Sequence, residues 1–142
     1  MKEEIEFLEY VYKNAKMGVE SIARLIQERK KDDKIDKVLK EQIHDYNNIA
    51  ISAKNMLKRR DKEVKDLSLM SKIATYMSIK INLSKEDGDK EAVDMMIKGS
   101  KMGIEQIKKH LKELNVKSKT ILNLAYRLIN IEENNIDKLK KI

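Results

Sequence analysis

The chain contains no cysteine, no proline and no tryptophan, and it has only four glycines. The lack of cysteine excludes disulfides, thiolate metal sites and thiol nucleophiles, and it suits a reducing cytoplasm. Because proline interrupts helices and glycine weakens them, long uninterrupted helices are expected. A single phenylalanine and few alternating β-branched residues argue against a sheet. The composition therefore predicts an all-α fold.

Long apolar runs are missing too. No segment approaches the ~18 apolar residues of a membrane span, and the N-terminal stretch MKEEIEFLEY lacks the unbroken apolar core of a signal peptide. With 41% hydrophobic and 39% charged residues, each helix should have one apolar and one solvated face. We expect a single cytoplasmic domain comprising residues 1–142, which is long enough to bury a core.

The formal net charge of +7 raises the question of a nucleic-acid or anionic-membrane partner. The basic residues are spread over every segment and are mixed with 24 acidic ones. The densest basic cluster, in residues 54–65, lies where a helix is predicted to end, a position that favours cations through the helix dipole. We therefore favour solvated helix faces over a nucleic-acid partner.

One segment of the chain occurs twice. Residues 12–26 read YKNAKMGVESIARLI and residues 97–111 read IKGSKMGIEQIKKHL. Six positions are identical in the two copies: Lys13/Lys98, Lys16/Lys101, Met17/Met102, Gly18/Gly103, Glu20/Glu105 and Ile22/Ile107. Each copy precedes a short polar break and a second apolar-periodic segment. This pattern predicts a duplicated helical hairpin, and hence a four-helix bundle with pseudo-two-fold symmetry.

The predicted hairpins are residues 1–60 and 91–142, joined by a crossover over residues 61–90. Apolar periodicity predicts helices at residues 2–29, 34–60, 67–83 and 90–114, and a last helix that Ser118 caps. Asp32 or Asp33 should cap the second helix, and Asn115 should end the one at 90–114. A crossover helix of this length returns the chain along the bundle, which predicts an up-down-down-up order. Antiparallel packing also sets Tyr46 level with Gly18.

The duplicated hairpin, the long crossover and the pair Glu41-x-x-His44 resemble the ferritin-like superfamily. In addition, residues 95–107 (MMIKGSKMGIEQI) and 128–141 (LINIEENNIDKLKK) are similar to an uncharacterised bacterial family of small helical proteins. The second resemblance implies no assigned activity. The first implies a di-metal site formed by inward carboxylates and two Glu-x-x-His pairs.

The sequence departs from that metal-binding pattern. At about 100° per residue, Glu20, Glu105, Glu41 and His44 all point away from the predicted core. The last helix has Glu132-x-x-Asn135 in place of Glu-x-x-His. We therefore expect no bound metal and no cofactor, and we treat Glu41 and His44 only as weak candidate ligands.

Glu132 is the one carboxylate predicted to point inward, with Asn135 beside it and Ser100 level with it on the third helix. A buried carboxylate needs a partner, and Ser100, Lys101 or Lys16 are the candidates. Three interpretations stay open. Glu132 forms a structural bridge that fixes helix register, or it anchors a small ligand within the polar cluster of Glu132, Ser100 and Asn135, or it is partly exposed.

Several apolar residues are predicted to face away from the core, namely Tyr10, Met17, Met95, Met102 and Ile51. A repeated outward stripe needs a cover, which is either the crossover helix or a second copy of the chain. His110 should flank the core face of the third helix.

No catalytic constellation is present in the sequence, so we do not expect an enzyme. The leading hypothesis is a non-catalytic helical bundle that acts through protein–protein contact or self-association as a homodimer. The alternatives are a ferritin-like protein that binds a metal or a small ligand, and a weak binder of nucleic acids or anionic surfaces.

Overall fold

The computed structural model describes residues 2–29, 34–63 and 88–141. These residues form four α-helices: α1 (Lys2–Arg29), α2 (Lys34–Lys58), α3 (Gly88–Leu114) and α4 (Lys119–Lys140). The all-α prediction is confirmed for the described residues. The observed α1 has the predicted bounds, whereas α2 ends slightly earlier and α3 begins slightly earlier than expected. The predicted crossover helix at 67–83 and the caps Asp32 and Asp33 lie outside the described residues.

Local chemistry explains where three of the helix ends fall. After α2, Asp61 takes a left-handed conformation (φ 57°), and the amide of Lys62 donates to the Leu57 carbonyl at 3.0 Å, which closes a Schellman motif. Asn115 is also left-handed (φ 50°) and ends α3. The Ser118 side chain then accepts a hydrogen bond from the backbone N–H of Ile121 at the start of α4. The predicted roles of Asn115 and Ser118 are therefore confirmed.

The four helices pack pairwise, α1 with α2, α3 with α4, and α2 with α4, while α1 meets α3 less extensively. Two surface depressions show which helix ends lie together. Glu4 of α1 lies beside Leu114 at the end of α3. Ile35 at the start of α2 lies beside Lys90 of α3 and Leu139 of α4. The arrangement resembles a four-helix bundle in which α1 begins where α3 ends and α2 begins where α4 ends.

The core follows the predicted apolar faces, with two differences. Phe7 is fully buried beside Leu8, so the apolar face of α1 is wider than its spacing predicted. Asp36 is only 1% exposed, so the expectation that Glu132 is the one inward carboxylate is wrong. Asp36 lies in the first turn of α2, where the positive end of the helix dipole favours a carboxylate.

Within the described parts of the chain, no helix has an apolar stretch long enough to cross a membrane.

Gly18 packs against the ring of Tyr46, as the antiparallel alignment predicted. A Cβ at residue 18 would lie 3.2 Å from Cδ2 of Tyr46 and 3.3 Å from Cγ and Cε2. These distances are shorter than ordinary van der Waals contacts between carbons. The absence of a side chain at Gly18 therefore lets α1 approach the Tyr46 ring closely.

We expect Gly18→Leu to destabilise the protein by about 1–3 kcal/mol, because the added carbons collide with the Tyr46 ring. This outweighs the gain of about 1 kcal/mol that replacing glycine in a helix normally brings. Urea denaturation of wild type and variant measures the difference. The same replacement in a Tyr46→Leu background is the control and should cost much less. An equal penalty in both backgrounds would show that the ring is not the obstacle.

Candidate functional site

Glu132 of α4 is 3% exposed, and it forms a hydrogen bond inside the bundle. Its Oε1 accepts from the hydroxyl of Tyr46 on α2, at 2.9 Å. Its burial agrees with the helical phase of α4, in which the neighbouring positions Leu128, Asn135 and Ile136 are also buried. The inward placement of Glu132 is confirmed, and the alternative of a partly exposed side chain is wrong.

The predicted partner of Glu132 is not the observed one. Ser100 of α3 was the expected donor, with Lys101 or Lys16 as alternatives, but the hydroxyl that donates belongs to Tyr46. Ser100 is buried nearby at 4% exposure, whereas Lys101 is exposed. The physical reason is reach. α2 and α4 are packed neighbours, and the long phenol side chain spans the space between them.

Gly103 of α3 makes room for the Glu132 carboxyl group. A Cβ at residue 103 would lie 2.9 Å from Oε1 and 3.0 Å from Cδ of Glu132, and Oε2 would be closer still. Tyr46 rests on Gly18 of α1 in the same manner. Both glycines are therefore packing residues, and each lies beneath one member of the hydrogen-bonded pair.

The polar groups around this pair are incompletely satisfied. Among the described residues, Oε2 of Glu132 and the amide nitrogen of Asn135 are buried without a hydrogen-bond partner. Ser100 and Asn135 lie close to the Tyr46 phenol, whose pKa is raised by burial and lowered in part by these two side chains. The amide nitrogen of Asn135 does not form a hydrogen bond to the phenol. Gln42, which is fully buried on α2, also has neither side-chain polar atom bonded. An unsatisfied buried polar group costs about 1–3 kcal/mol.

Burial also changes the proton affinity of the pair. Desolvation raises the pKa of Glu132 from 4.5 to about 7, and the hydrogen bond from Tyr46 opposes this increase. Burial raises the pKa of Tyr46 far above its usual value, and the negative charge of Glu132 raises it further. The phenol therefore stays a hydrogen-bond donor at neutral pH, while the carboxyl group titrates close to neutrality.

A cavity of about 140 Å³ lies between α1 and α3 and reaches Glu132 and Tyr46. Its walls combine apolar side chains with a few polar ones and two glycines. The lining residues are Asn14, Met17, Gly18, Ser21, Ile22, Tyr46, Met95, Met96, Gly99, Ser100 and Glu132. The cavity brings together two members of the predicted polar cluster, Glu132 and Ser100. Asn135, the third member, is buried but does not line it.

The predicted outward stripe is divided in the structure. Met17 and Met95 are partly buried and line the cavity, so the prediction that they point away from the protein is wrong. Met102 and Ile51 are 47% and 49% exposed, as predicted. The difference arises because α1 and α3 face each other across the cavity, which turns the flank of each helix inward. The crossover helix that was expected to cover the stripe lies outside the described residues.

Among the described residues, the weak metal-ligand candidates are not part of a cluster that could hold a metal ion. Glu41 and His44 are exposed on α2, and Glu41 pairs with Lys138 of α4 at 3.2 Å. Glu105 is exposed as well, whereas Glu20 is partly buried rather than outward as predicted. Within residues 2–29, 34–63 and 88–141, no group of three or more His, Asp or Glu side chains is placed to hold a metal ion.

His110 borders the core face of α3, as predicted. Its ring stacks on that of Tyr10 from α1, with centroids 3.8 Å apart and an interplanar angle of 11°. Its Nδ1 lies 2.8 Å from the carbonyl oxygen of Gln106. This stack joins α1 and α3. It explains why Tyr10 points away from the predicted core face of α1.

Comparisons with protein-family models, curated proteins and solved structures give no match. The resemblances to the ferritin-like superfamily and to a bacterial family of small helical proteins therefore stay predictions. The described residues define an all-α, four-helix protein.

Gly103→Ala should destabilise the protein by about 1–3 kcal/mol, because the new methyl group displaces the carboxyl group from Tyr46. Replacing a glycine in a helix would otherwise stabilise it by about 1 kcal/mol. Urea denaturation checks the sign of the change. In a Glu132→Ala background the obstacle is gone, so Gly103→Ala should become stabilising. Stabilisation in both backgrounds would contradict the close contact.

Stability should also depend on pH through Glu132. Because its folded-state pKa is raised to about 7, the folded protein holds a proton that the unfolded chain has already lost above pH 4.5. The stabilisation is therefore largest below that pH and is lost as pH rises through 7. The unfolding free energy of wild type should fall by on the order of 2–3 kcal/mol between pH 5 and 8, relative to Glu132→Gln. Parallel pH profiles for the two proteins would refute this.

Proposed function

We propose that this protein is a non-catalytic helical bundle that binds a small ligand in the cavity between α1 and α3, with Glu132 as the anchoring group. One observation carries the proposal. Glu132 is almost fully buried, lines the cavity, and has a carboxylate oxygen without a hydrogen-bond partner among the described residues. The carboxyl group packs against Gly103 of α3, and a hydrogen-bond donor on a ligand in the adjoining cavity would satisfy the oxygen that the described residues leave unpaired.

Several features that lower stability occur together at this place. The intrinsic helix propensity of Gly18 and Gly103 is about 1 kcal/mol below that of alanine at each position, a loss that the close contacts with Tyr46 and Glu132 outweigh. The carboxyl group of Glu132 and the amide of Asn135 add unsatisfied buried polar atoms. A bridge that served only helix register would need neither the unpaired oxygen nor the adjoining cavity. Departures from local stability rules that converge on one cavity are typical of binding sites.

The volume of the cavity limits the size of the ligand. At about 140 Å³, it is similar to a well-known engineered cavity of about 150 Å³ that accepts benzene. The ligand should therefore have about six to eight non-hydrogen atoms by this comparison.

We also propose that the two hairpins arose by duplication and form an up-down-down-up, ferritin-like bundle without its metal site. The placement of the helix ends supports this order. The burial pattern supports the duplication, because seven of the nine buried residues of α2 have a buried counterpart in α4 at the spacing of 86 that separates Tyr46 from Glu132. The pairs are Ile35/Ile121, Leu39/Ala125, Gln42/Leu128, Tyr46/Glu132, Ile49/Asn135, Ala50/Ile136 and Ala53/Leu139.

Protein–protein contact or self-association as a homodimer is the second candidate. It is favoured by three large apolar side chains that are about half exposed: Ile51, Met102 and Tyr126. Because these side chains lie on three different helices, they do not define one contact surface. They therefore support self-association less specifically than the cavity supports a ligand. Sedimentation equilibrium of wild type and Ile51→Lys would detect a dimer that depends on α2. Weak nucleic-acid binding, a cytoplasmic location and a bacterial source stay predictions.

The ligand proposal can be tested with three probes that share the same branched five-carbon skeleton: 3-methylbutanol, 3-methylbutylamine and 3-methylbutyrate. We expect at least one of them to shift the NMR signals of the Met17, Met95 and Met96 methyl groups, because these side chains line the cavity. Ser21→Leu, which fills the cavity, should abolish the shifts.

Ser52→Leu is the matched control, because Ser52 lies on α2 away from the cavity lining. It should respond to the probes as wild type does. If none of the three probes shifts these methyl signals in wild type, the proposed function is wrong.

A further inference from the structure

We propose that the ligand of this cavity is a small organic cation, specifically a primary amine with a short apolar body whose ammonium group pairs with Glu132. This inference rests on the proposed function and names the chemical class of ligand that the same site selects.

The polar groups of the cavity favour a ligand that donates hydrogen bonds. The Tyr46 hydroxyl already donates to Oε1 of Glu132, which leaves Oε2 as an acceptor. The amide nitrogen of Asn14 donates one of its two hydrogens to the Tyr10 hydroxyl at 3.4 Å, and the Asn14 carbonyl oxygen can accept a hydrogen bond. Ser21 and Ser100 contribute hydroxyl groups that can accept. An ammonium group supplies three donors and no acceptor, which complements this set.

The charges around Glu132 favour a cation. Among the described residues, the titratable groups that face it are two phenols, Tyr46 from α2 and Tyr10 from α1, whose pKa values are raised by burial and further by the charge of Glu132. α3 faces it with Gly103 and Ser100, which carry no charge. No lysine or arginine is among the described residues that line the cavity. An ammonium group would therefore be the counter-charge that the carboxylate lacks, whereas an anionic ligand would be repelled.

The remaining walls suit the apolar body of such an amine. Met17, Met95, Met96 and Ile22 surround the space next to the polar groups. Methionine is flexible and polarizable, so these walls can adapt to short branched or linear carbon chains. Gly99 adds a stretch of the α3 wall that carries no side chain. The cavity lining thus combines hydrogen-bond acceptors with apolar side chains, which matches the two parts of a short amine.

Isothermal titration calorimetry at pH 8 with the same three probes tests the inference. We expect 3-methylbutylamine to bind at least tenfold more tightly than 3-methylbutanol, and 3-methylbutyrate to bind most weakly. Glu132→Gln should reduce the affinity for the amine to that for the alcohol, and leave the alcohol within about threefold of wild type. Glu133→Gln removes the same charge from an exposed neighbour on α4 and should leave both affinities unchanged.

The amine should also bind about tenfold more weakly at pH 6 than at pH 8, because a proton then competes for Glu132, whose pKa is about 7. Glu132→Gln should show no such change. Tighter binding of the alcohol or the acid would overturn the amine assignment while leaving the cavity as a binding site. Equal losses in Glu132→Gln and Glu133→Gln would overturn it as well. If no probe binds and the cavity takes up water only, both the inference and the proposed function fail.

Discussion

The hydrogen bond between Tyr46 and Glu132 joins the two hairpins in the interior of the bundle, and the residues around it are arranged to permit it. Tyr46 comes from α2 and Glu132 from α4, which are packed neighbours. The ring of Tyr46 lies against Gly18, and the carboxyl group of Glu132 lies against Gly103. A larger residue at either glycine would push one partner away from the other. The helices can therefore approach each other this closely because Gly18 and Gly103 have no side chain.

This arrangement has a thermodynamic consequence. Burial disfavours the charged form of the carboxyl group and raises the pKa of Glu132 to about 7, while the hydrogen bond from Tyr46 opposes this increase and satisfies only one of the two oxygens. A carboxyl group that titrates near neutrality and lies beside a cavity is typical of functional sites. In the proposed complex, the charge of the ligand should shift the protonation of Glu132.

In the ferritin-like bundles that the sequence resembles, inward carboxylates from several helices converge on metal ions. In this protein Glu41, His44 and Glu105 are exposed, and Glu132 is joined by a phenol. Asp36 is buried too, but it lies in the first turn of α2, where the helix terminus favours a carboxylate. Among the described residues the predicted ligands therefore do not converge, and the ferritin-like resemblance stays a prediction.

Local information in the sequence determined the bounds of α1, the end of α3 at Asn115, the Ser118 cap and the inward phase of Glu132. Each of these depends on a short stretch of chain, on side-chain chemistry at a helix end or on a turn of 100° per residue. Tertiary structure alone decided that Tyr46 is the partner of Glu132, and that Met17 and Met95 line a cavity. Those contacts depend on how each helix is rotated and shifted relative to its neighbours, and the periodicity of a single helix does not contain that information.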